Sequence, residues 1–147
     1  MNLPISPLVV LCVLIALTVA AALYEAAARS RRRRALRQLA ARWQMTYSPQ
    51  DRLRVRDKIA GRLPIPVAAD LYVTDVIYGG EGERYRYVFT AEYTLGVVRT
   101  KRRELRVATF CEPRSRACAQ STEPINFAPE DLPILQQYEH LAPASRQ

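Results

Sequence analysis

Histidine and cysteine are scarce in this chain, and their scarcity removes most of the chemistry that side chains can perform. His140 is the one histidine, and the three cysteines are Cys12, Cys111 and Cys118. Because no CxxC pair or histidine cluster accompanies them, we predict no zinc site and no cofactor. With a single histidine, no serine has an evident base partner for nucleophilic catalysis. The sequence therefore predicts a protein that is not an enzyme.

Charge is absent from residues 3–23, and glycine and proline are absent from residues 8–47. A helix over the uncharged stretch rises about 30 Å, which matches the hydrocarbon core of a bilayer. We therefore predict a transmembrane helix over residues 1–24. A cleaved signal peptide is the main alternative, but the basic residues follow the apolar run instead of preceding it. A lipid anchor on Cys12 is disfavoured by the bulky Leu11 before it.

Basic residues are missing before the apolar run and dense after it. Arg29, the arginines at 31–34, Arg37 and Arg42 all follow it. The positive-inside rule then predicts a single pass through the cell (inner) membrane, with the N-terminus outside and the C-terminal domain in the cytoplasm. In that reducing compartment we expect Cys111 and Cys118 to be free thiols.

The net charge of +8 is concentrated next to the predicted span. Twelve basic and three acidic residues lie between Tyr24 and Arg62, whereas ten basic and eleven acidic residues follow. This distribution favours attraction to anionic lipid headgroups, and nucleic acid is disfavoured as a partner. The residues that we predict to contact anionic lipid are Arg31, Arg32, Arg33, Arg34 and Arg37.

Residues 25–43 read as a basic juxtamembrane helix. Leu36, Leu39, Ala40 and Trp43 share one face of it, and arginines occupy the opposite face. This apolar stripe either packs on a folded domain or lies along the headgroups while the arginine stems extend outwards. We favour packing, because apolar residues continue into the following segment.

Residues 44–147 read as a small cytoplasmic α+β domain. Ser48 and Asp51 are placed to cap a short helix that ends near Gly61. Strands are predicted over 71–78, 84–94 and 104–110, with a glycine-rich turn after the first and a basic hairpin tip, 99–103, before the third. A last helix should open at residues 128–131. Consecutive strands joined by short turns indicate an antiparallel sheet with helices packed on it.

Three features of this domain have a second interpretation. Gly79, Gly80 and Gly82 could cradle a phosphate, but they connect two strands and do not open a helix, which favours a turn. Asp70 and Asp75 could work as paired carboxylates, although strand alternation places them on opposite faces. The aromatic residues of 84–94 could stack bases, but the opposite face of that strand is polar, which favours a buried core.

The segments LAARWQMTYSPQDR, DVIYGGEGERYRYVFTAEYT and APEDLPILQQYEHL follow the apolar helix in that order. Together they resemble small bacterial single-pass membrane-anchored proteins of uncharacterised activity. The resemblance covers nearly the whole chain and implies the architecture alone. We expect a non-enzymatic interaction domain at the cytoplasmic face of the bilayer, compatible with an unidentified protein partner. The alternative is a membrane-tethered module that binds nucleic acid or another anionic ligand.

Overall fold

The structure, a computed structural model, describes residues 7–62, 69–95, 102–114 and 123–143 of the chain. The helices and strands within these ranges are α1 Pro7–Arg42, β1 Thr46–Gln50, α2 Val55–Ile59, β2 Ala69–Glu81, β3 Arg84–Leu95, β4 Arg102–Pro113, β5 Asn126–Phe127 and α3 Ile134–His140. The chain divides into two compact units, Met1–Arg34 and Ala35–Gln147. The last two turns of α1 therefore belong to the second unit.

The first unit contains, in its described part, the apolar stretch of α1. Its large side chains are exposed along the whole stretch, from Leu8 at 68% through Leu17 at 62% to Leu23 at 66%. The helix is long and apolar enough to cross a membrane, and none of its most apolar window is buried. A signal sequence near an N-terminus passes the same test of length and composition. The described part of the chain thus contains one candidate span, as predicted.

The strands of the second unit form one antiparallel sheet in the order β1-β2-β3-β4-β5. Neighbours in sequence are neighbours in the sheet, which makes it a meander. Gly82 and Glu83 connect β2 to β3, and Gly82 has a φ of 61°, a conformation that glycine adopts without steric cost. The predicted α+β class, an apolar N-terminal helix followed by a small antiparallel sheet with helices, is confirmed.

Strand β2 carries two one-residue bulges, and an aspartate stands in each. The pairing with β3 shifts between residues 69 and 72 and again between 74 and 77. Asp70 and Asp75 have φ values of 52° and 53°, a left-handed conformation found in one common type of bulge. Aspartate tolerates this conformation better than most residues with a side chain. After the second bulge, successive side chains of β2 again point to alternate faces of the sheet.

Helix α2 packs against one face of the sheet. The buried cluster there consists of Val55, Ile59, Leu71, Val73, Val76, Tyr87, Phe89, Ala91, Tyr93, Ala108, Phe110 and Ile125. The rings of Tyr87 and Phe110 stack with their centres 4.8 Å apart. The predicted burial of one face of β3 is confirmed from Tyr87 to Tyr93, whereas Tyr85 is 36% exposed.

The end of α1 and helix α3 cover the opposite face. Their cluster consists of Leu36, Leu39, Ala40, Trp43, Ile77, Val88, Val107, Ala128, Tyr138 and Leu141. The apolar stripe on α1 therefore packs on the folded domain, as we favoured. The second face of β3 is not open to solvent as its polar residues suggested, because Val88 and Thr90 are fully buried there.

Helix α1 ends in a Schellman motif. The N–H of Met45 donates to the Ala40 carbonyl at 2.8 Å, and the N–H of Gln44 donates to the Ala41 carbonyl at 3.0 Å. Gln44 has a φ of 54° at the position that glycine usually takes. The helix thus ends at Arg42 without the glycine or proline that marks a helix end in a sequence.

The predicted helix start at Ser48 is wrong. Ser48 lies in β1, where its hydroxyl donates to the Gln50 carbonyl at 2.6 Å. Helix α2 begins later, but Asp51 still caps it. Its two carboxylate oxygens accept the N–H groups of Val55 at 2.7 Å and Arg56 at 2.8 Å.

The last helix also begins later than predicted, at Ile134. Tyr138 and Leu141 are buried as expected, but Leu135 is 40% exposed and Gln137 is buried in its place. Gln137 is tolerated there because its side-chain amide bonds to two backbone groups, one on β4 and one in the segment before α3.

The three predicted strands exist, and each is longer than predicted. Strand β2 continues through Gly79 and Gly80, which pair with Arg86 and Tyr85. Most of the predicted hairpin tip and Cys118 lie outside the described residues.

Phe89→Ala should lower the free energy of unfolding by about 3–5 kcal/mol, because Phe89 is fully buried and its truncation leaves a cavity. Denaturant unfolding of the fragment 35–147, followed by circular dichroism, measures the change. Tyr85→Ala is the matched control, since Tyr85 lies on the same face of β3 but is partly exposed. If the two variants unfold at the same denaturant concentration, the assignment of the buried face is wrong.

Candidate functional site

Four consecutive arginines surround helix α1 just after its apolar stretch. Arg31, Arg32, Arg33 and Arg34 form what we term the arginine collar. Successive residues of an α-helix are rotated by about 100°, so four in a row point to four sides of the helix. Arg31, Arg33 and Arg34 are exposed, and Arg32 is half-buried. Positive charge is therefore distributed around the helix axis and not along one face.

Three of the collar guanidinium groups form no ion pair with the residues that the structure describes. Within the described ranges, Arg31, Arg33 and Arg34 have no carboxylate within ion-pair distance. The neighbouring Arg29 differs, because it pairs with Glu25 at 3.0 Å. Guanidinium groups without a carboxylate partner are well suited to bind phosphate oxygens through paired hydrogen bonds. The collar therefore offers a binding surface for phosphate-bearing ligands.

Arg37, the fifth residue predicted to contact lipid, has a different environment. It belongs to the second unit, and its guanidinium carbon lies 5.9 Å from the centre of the Tyr47 ring. The Tyr47 hydroxyl in turn donates to Asp75 Oδ1 at 2.6 Å. Arg37 is exposed but already makes a cation–π contact within its own unit.

The glycine cluster does not have the structure of a phosphate-binding loop. Gly79 and Gly80 lie in β2, and Gly82 lies in the turn to β3, where no helix begins. Gly79 serves packing, because a Cβ at this position would lie 2.6 Å from Met45 Cγ.

The aspartates and aromatic residues named above do not assemble a site either. Asp70 is exposed, whereas Asp75 is buried and its carboxylate accepts the Tyr47 hydroxyl. Tyr87, Phe89 and Tyr93 are at most 7% exposed, so bases could not stack on them.

A cavity of about 230 Å³ lies beside the strand pair β3–β4. Its lining residues are Glu81, Arg84, Arg86, Thr109, Phe110, Cys111, Glu123 and Asn126. The charges around it are paired internally, Arg86 with Glu81 at 3.0 Å and Arg84 with Glu123 at 2.6 Å. The cavity therefore presents balanced charge, in contrast to the collar.

Cys111 contributes a free, half-buried thiol to this cavity. Burial raises the pKa of the Cys111 thiol to about 11, and its hydrogen bond with Glu123 acts in the same direction. At neutral pH the thiol is protonated, whereas the thiolate is the form that attacks electrophiles and binds metals. Cys111 is thus not an activated nucleophile.

His140 is exposed in the last turn of α3. Across the part of the chain that the structure describes, no group of three or more histidine, cysteine, aspartate or glutamate side chains could hold a metal ion.

No family model, curated protein or solved structure matches this chain. The resemblance to small bacterial single-pass membrane proteins therefore stays a prediction.

Cys111 should be alkylated by iodoacetamide much more slowly at neutral pH than a thiol with the ordinary pKa of 9.0, because so little of it is ionised. The rate should keep rising as the pH approaches 11. Peptide mapping by mass spectrometry assigns the modification to Cys111. Glu123→Gln, which removes a carboxylate that disfavours the thiolate, should speed the reaction. A rate that levels off below pH 9.0 in the parent protein would contradict the raised pKa.

Proposed function

We propose that this chain crosses the inner membrane once and holds a non-enzymatic interaction domain at the cytoplasmic face. In this proposal the N-terminus lies outside, and the arginine collar contacts anionic lipid headgroups. The observation that carries the proposal is the exposed apolar stretch of α1 followed by a collar in which Arg31, Arg33 and Arg34 have no carboxylate partner among the described residues. A stretch of helix whose large apolar side chains are all exposed requires an apolar environment, which the bilayer supplies.

The direction of the collar side chains supports contact with headgroups. Side chains of an α-helix lean towards its N-terminus, so arginines that follow the apolar stretch lean back towards it. The eight residues from Leu23 to Arg31 rise about 12 Å along the helix. The headgroup layer extends about 5–8 Å beyond the hydrocarbon core on each side. Long arginine side chains that lean back can therefore reach phosphate groups in that layer.

An interaction role for the folded domain rests on the chemistry of its described part. The buried clusters are apolar, the charges around the cavity are paired, and the Cys111 thiol is protonated at neutral pH. These features favour a domain that binds a protein partner over one that transforms a substrate. The second candidate is a module for nucleic acid or another anionic ligand, because unpaired guanidinium groups also bind nucleic-acid phosphates. The burial of Tyr87, Phe89 and Tyr93 disfavours base stacking on the sheet.

A reporter enzyme that is active only in the periplasm, fused after Gln147, should stay inactive in cells. A reporter that is active only in the cytoplasm, fused at the same position, should be active. Both results follow from the excess of arginine on the C-terminal side of the apolar stretch. Strong periplasmic activity would reverse the proposed orientation, and a shortened N-terminus in the purified protein would favour a cleaved signal peptide.

Replacing the collar by glutamine (R31Q, R32Q, R33Q and R34Q) should remove most of the preference for anionic over neutral lipid. Surface electrostatics contributes about 1 kcal/mol per basic residue near an anionic membrane and weakens as salt is added. Intact-complex mass spectrometry of the purified full chain in mixed micelles counts the retained lipids of each type.

The full chain is needed because a peptide that contained only the collar and the end of α1 would expose Leu36, Leu39 and Trp43. These are core residues in the folded domain. Replacing the same four arginines by lysine is the matched control, since it keeps the charge and should keep most of the preference. Equal retention of anionic lipid by the glutamine variant and the parent would exclude the collar as the lipid contact.

A further inference from the structure

A second group of exposed arginines lies in the folded domain, in the segment that leads into α2 and in the first turn of that helix. Arg52, Arg54 and Arg56 are exposed, and we term them the α2 patch. They alternate with Leu53, which packs on the core beside α2, and with Val55, which is fully buried. The apolar residues fix this segment to the sheet and turn the three arginines outward.

The arginines of the α2 patch have no carboxylate within ion-pair distance among the described residues. Asp51 lies in the same segment, but its two oxygens accept backbone N–H groups at the start of α2. Arg56 lies with its guanidinium carbon 6.0 Å from the centre of the Tyr72 ring, which leaves its N–H groups without an acidic partner. The patch therefore presents exposed guanidinium groups that can bind phosphate.

Arg54 has a strained backbone conformation. Its φ of 51° is in the left-handed region, where a long side chain is uncommon and glycine is favoured. Strained residues of this kind are often found at functional positions. Glycine at this position would relieve the strain but would remove the central charge of the patch.

We propose that the α2 patch binds the phosphate groups of anionic lipids and gives the folded domain a second contact with the membrane surface. The inference rests on the proposed membrane attachment, because a tethered domain meets headgroups at a high effective concentration. Lipid is favoured over nucleic acid for two reasons. Arg56 lies over the ring of Tyr72, the nearby exposed aromatic residue, and the aromatic side chains of β3 from Tyr87 onward are buried. Arg56 therefore competes with any base for the face of the Tyr72 ring that it covers, and the buried aromatic residues of β3 add no second stacking surface.

Hydrogen exchange on the full chain in nanodiscs tests this inference. One preparation contains phosphatidylcholine alone, and the other contains phosphatidylcholine mixed with phosphatidylserine. In the anionic nanodiscs, amides of residues 52–59 should exchange severalfold more slowly than in the neutral ones at low salt. The difference should disappear at high salt, because the Debye length falls from about 10 Å at 0.1 M to about 3 Å at 1 M.

The double variant R52Q/R56Q should lose this difference between the two lipid mixtures. The double variant R103Q/R114Q is the matched control, since it removes the same charge from exposed residues elsewhere on the domain and should keep the difference. If exchange of 52–59 is equal in neutral and anionic nanodiscs, or if R52Q/R56Q behaves like the parent, the proposal is wrong.

Arg54→Gly separates binding from folding. It should keep or raise the melting temperature, because the strain is relieved, and it should reduce the lipid-dependent slowing of exchange. A variant that is at least as stable and retains the full slowing would exclude Arg54 as a lipid contact and overturn the three-residue patch.

Two further outcomes separate this proposal from the function proposed above. Peptides covering 25–35 report on the collar in the same experiment. Lipid-dependent slowing at 52–59 without any at 25–35 would refute the collar contact and support the patch, and the reverse would overturn the patch alone. Single-stranded RNA added to neutral nanodiscs is the last comparison. Slowing by RNA without slowing by anionic lipid would overturn the lipid assignment and identify a nucleic-acid surface.

Discussion

Strand β3 is buried on both faces, and the helices of the folded domain are arranged around that requirement. Phe89 and Ala91 on one face and Val88 and Thr90 on the other are all fully buried. Many antiparallel sheets of this kind leave one face to water. Here α2 covers one face, while the end of α1 and helix α3 cover the other. The end of α1 thus supplies part of the core of the folded domain.

Polar side chains inside the second core are stabilised by a connected set of hydrogen bonds. The Tyr138 hydroxyl donates to the Asp75 carbonyl at 2.6 Å and lies 2.9 Å from Thr90 Oγ1. The Asp75 carboxylate accepts the Tyr47 hydroxyl. Leaving one such buried group without a partner would cost about 1–3 kcal/mol. The hydrogen bonds therefore tie α3 and the edge strand β1 to the centre of the sheet, in addition to the apolar contacts.

The sequence predicted those features that follow from the period of its side chains, and the errors arose where tertiary contacts override a local signal. The alternation over 84–94 and the apolar stripe on α1 were sufficient to predict a buried strand and a packed helix. Ser48 satisfies the pattern of a helix cap, but pairing with β2 makes it part of a strand. Thr90 lies on the polar face of this alternation, yet it is fully buried, because alternation does not distinguish water from a polar partner in the core. In the candidate site, the arginine run was evident, but the contact of Arg37 with the Tyr47 ring depends on how β1 folds back beside the end of α1.

A collar differs from a stripe in what it specifies about a helix in a bilayer. In a tilted helix, a stripe of charge on one face prefers one rotation about the helix axis, since rotation would carry that face away from the nearer headgroups. Four arginines on four sides present a similar ring of guanidinium groups whichever way the helix is turned. Such a ring fixes how deeply the helix sits along the membrane normal and leaves its azimuth undetermined. Any preferred azimuth must then come from residues outside the collar.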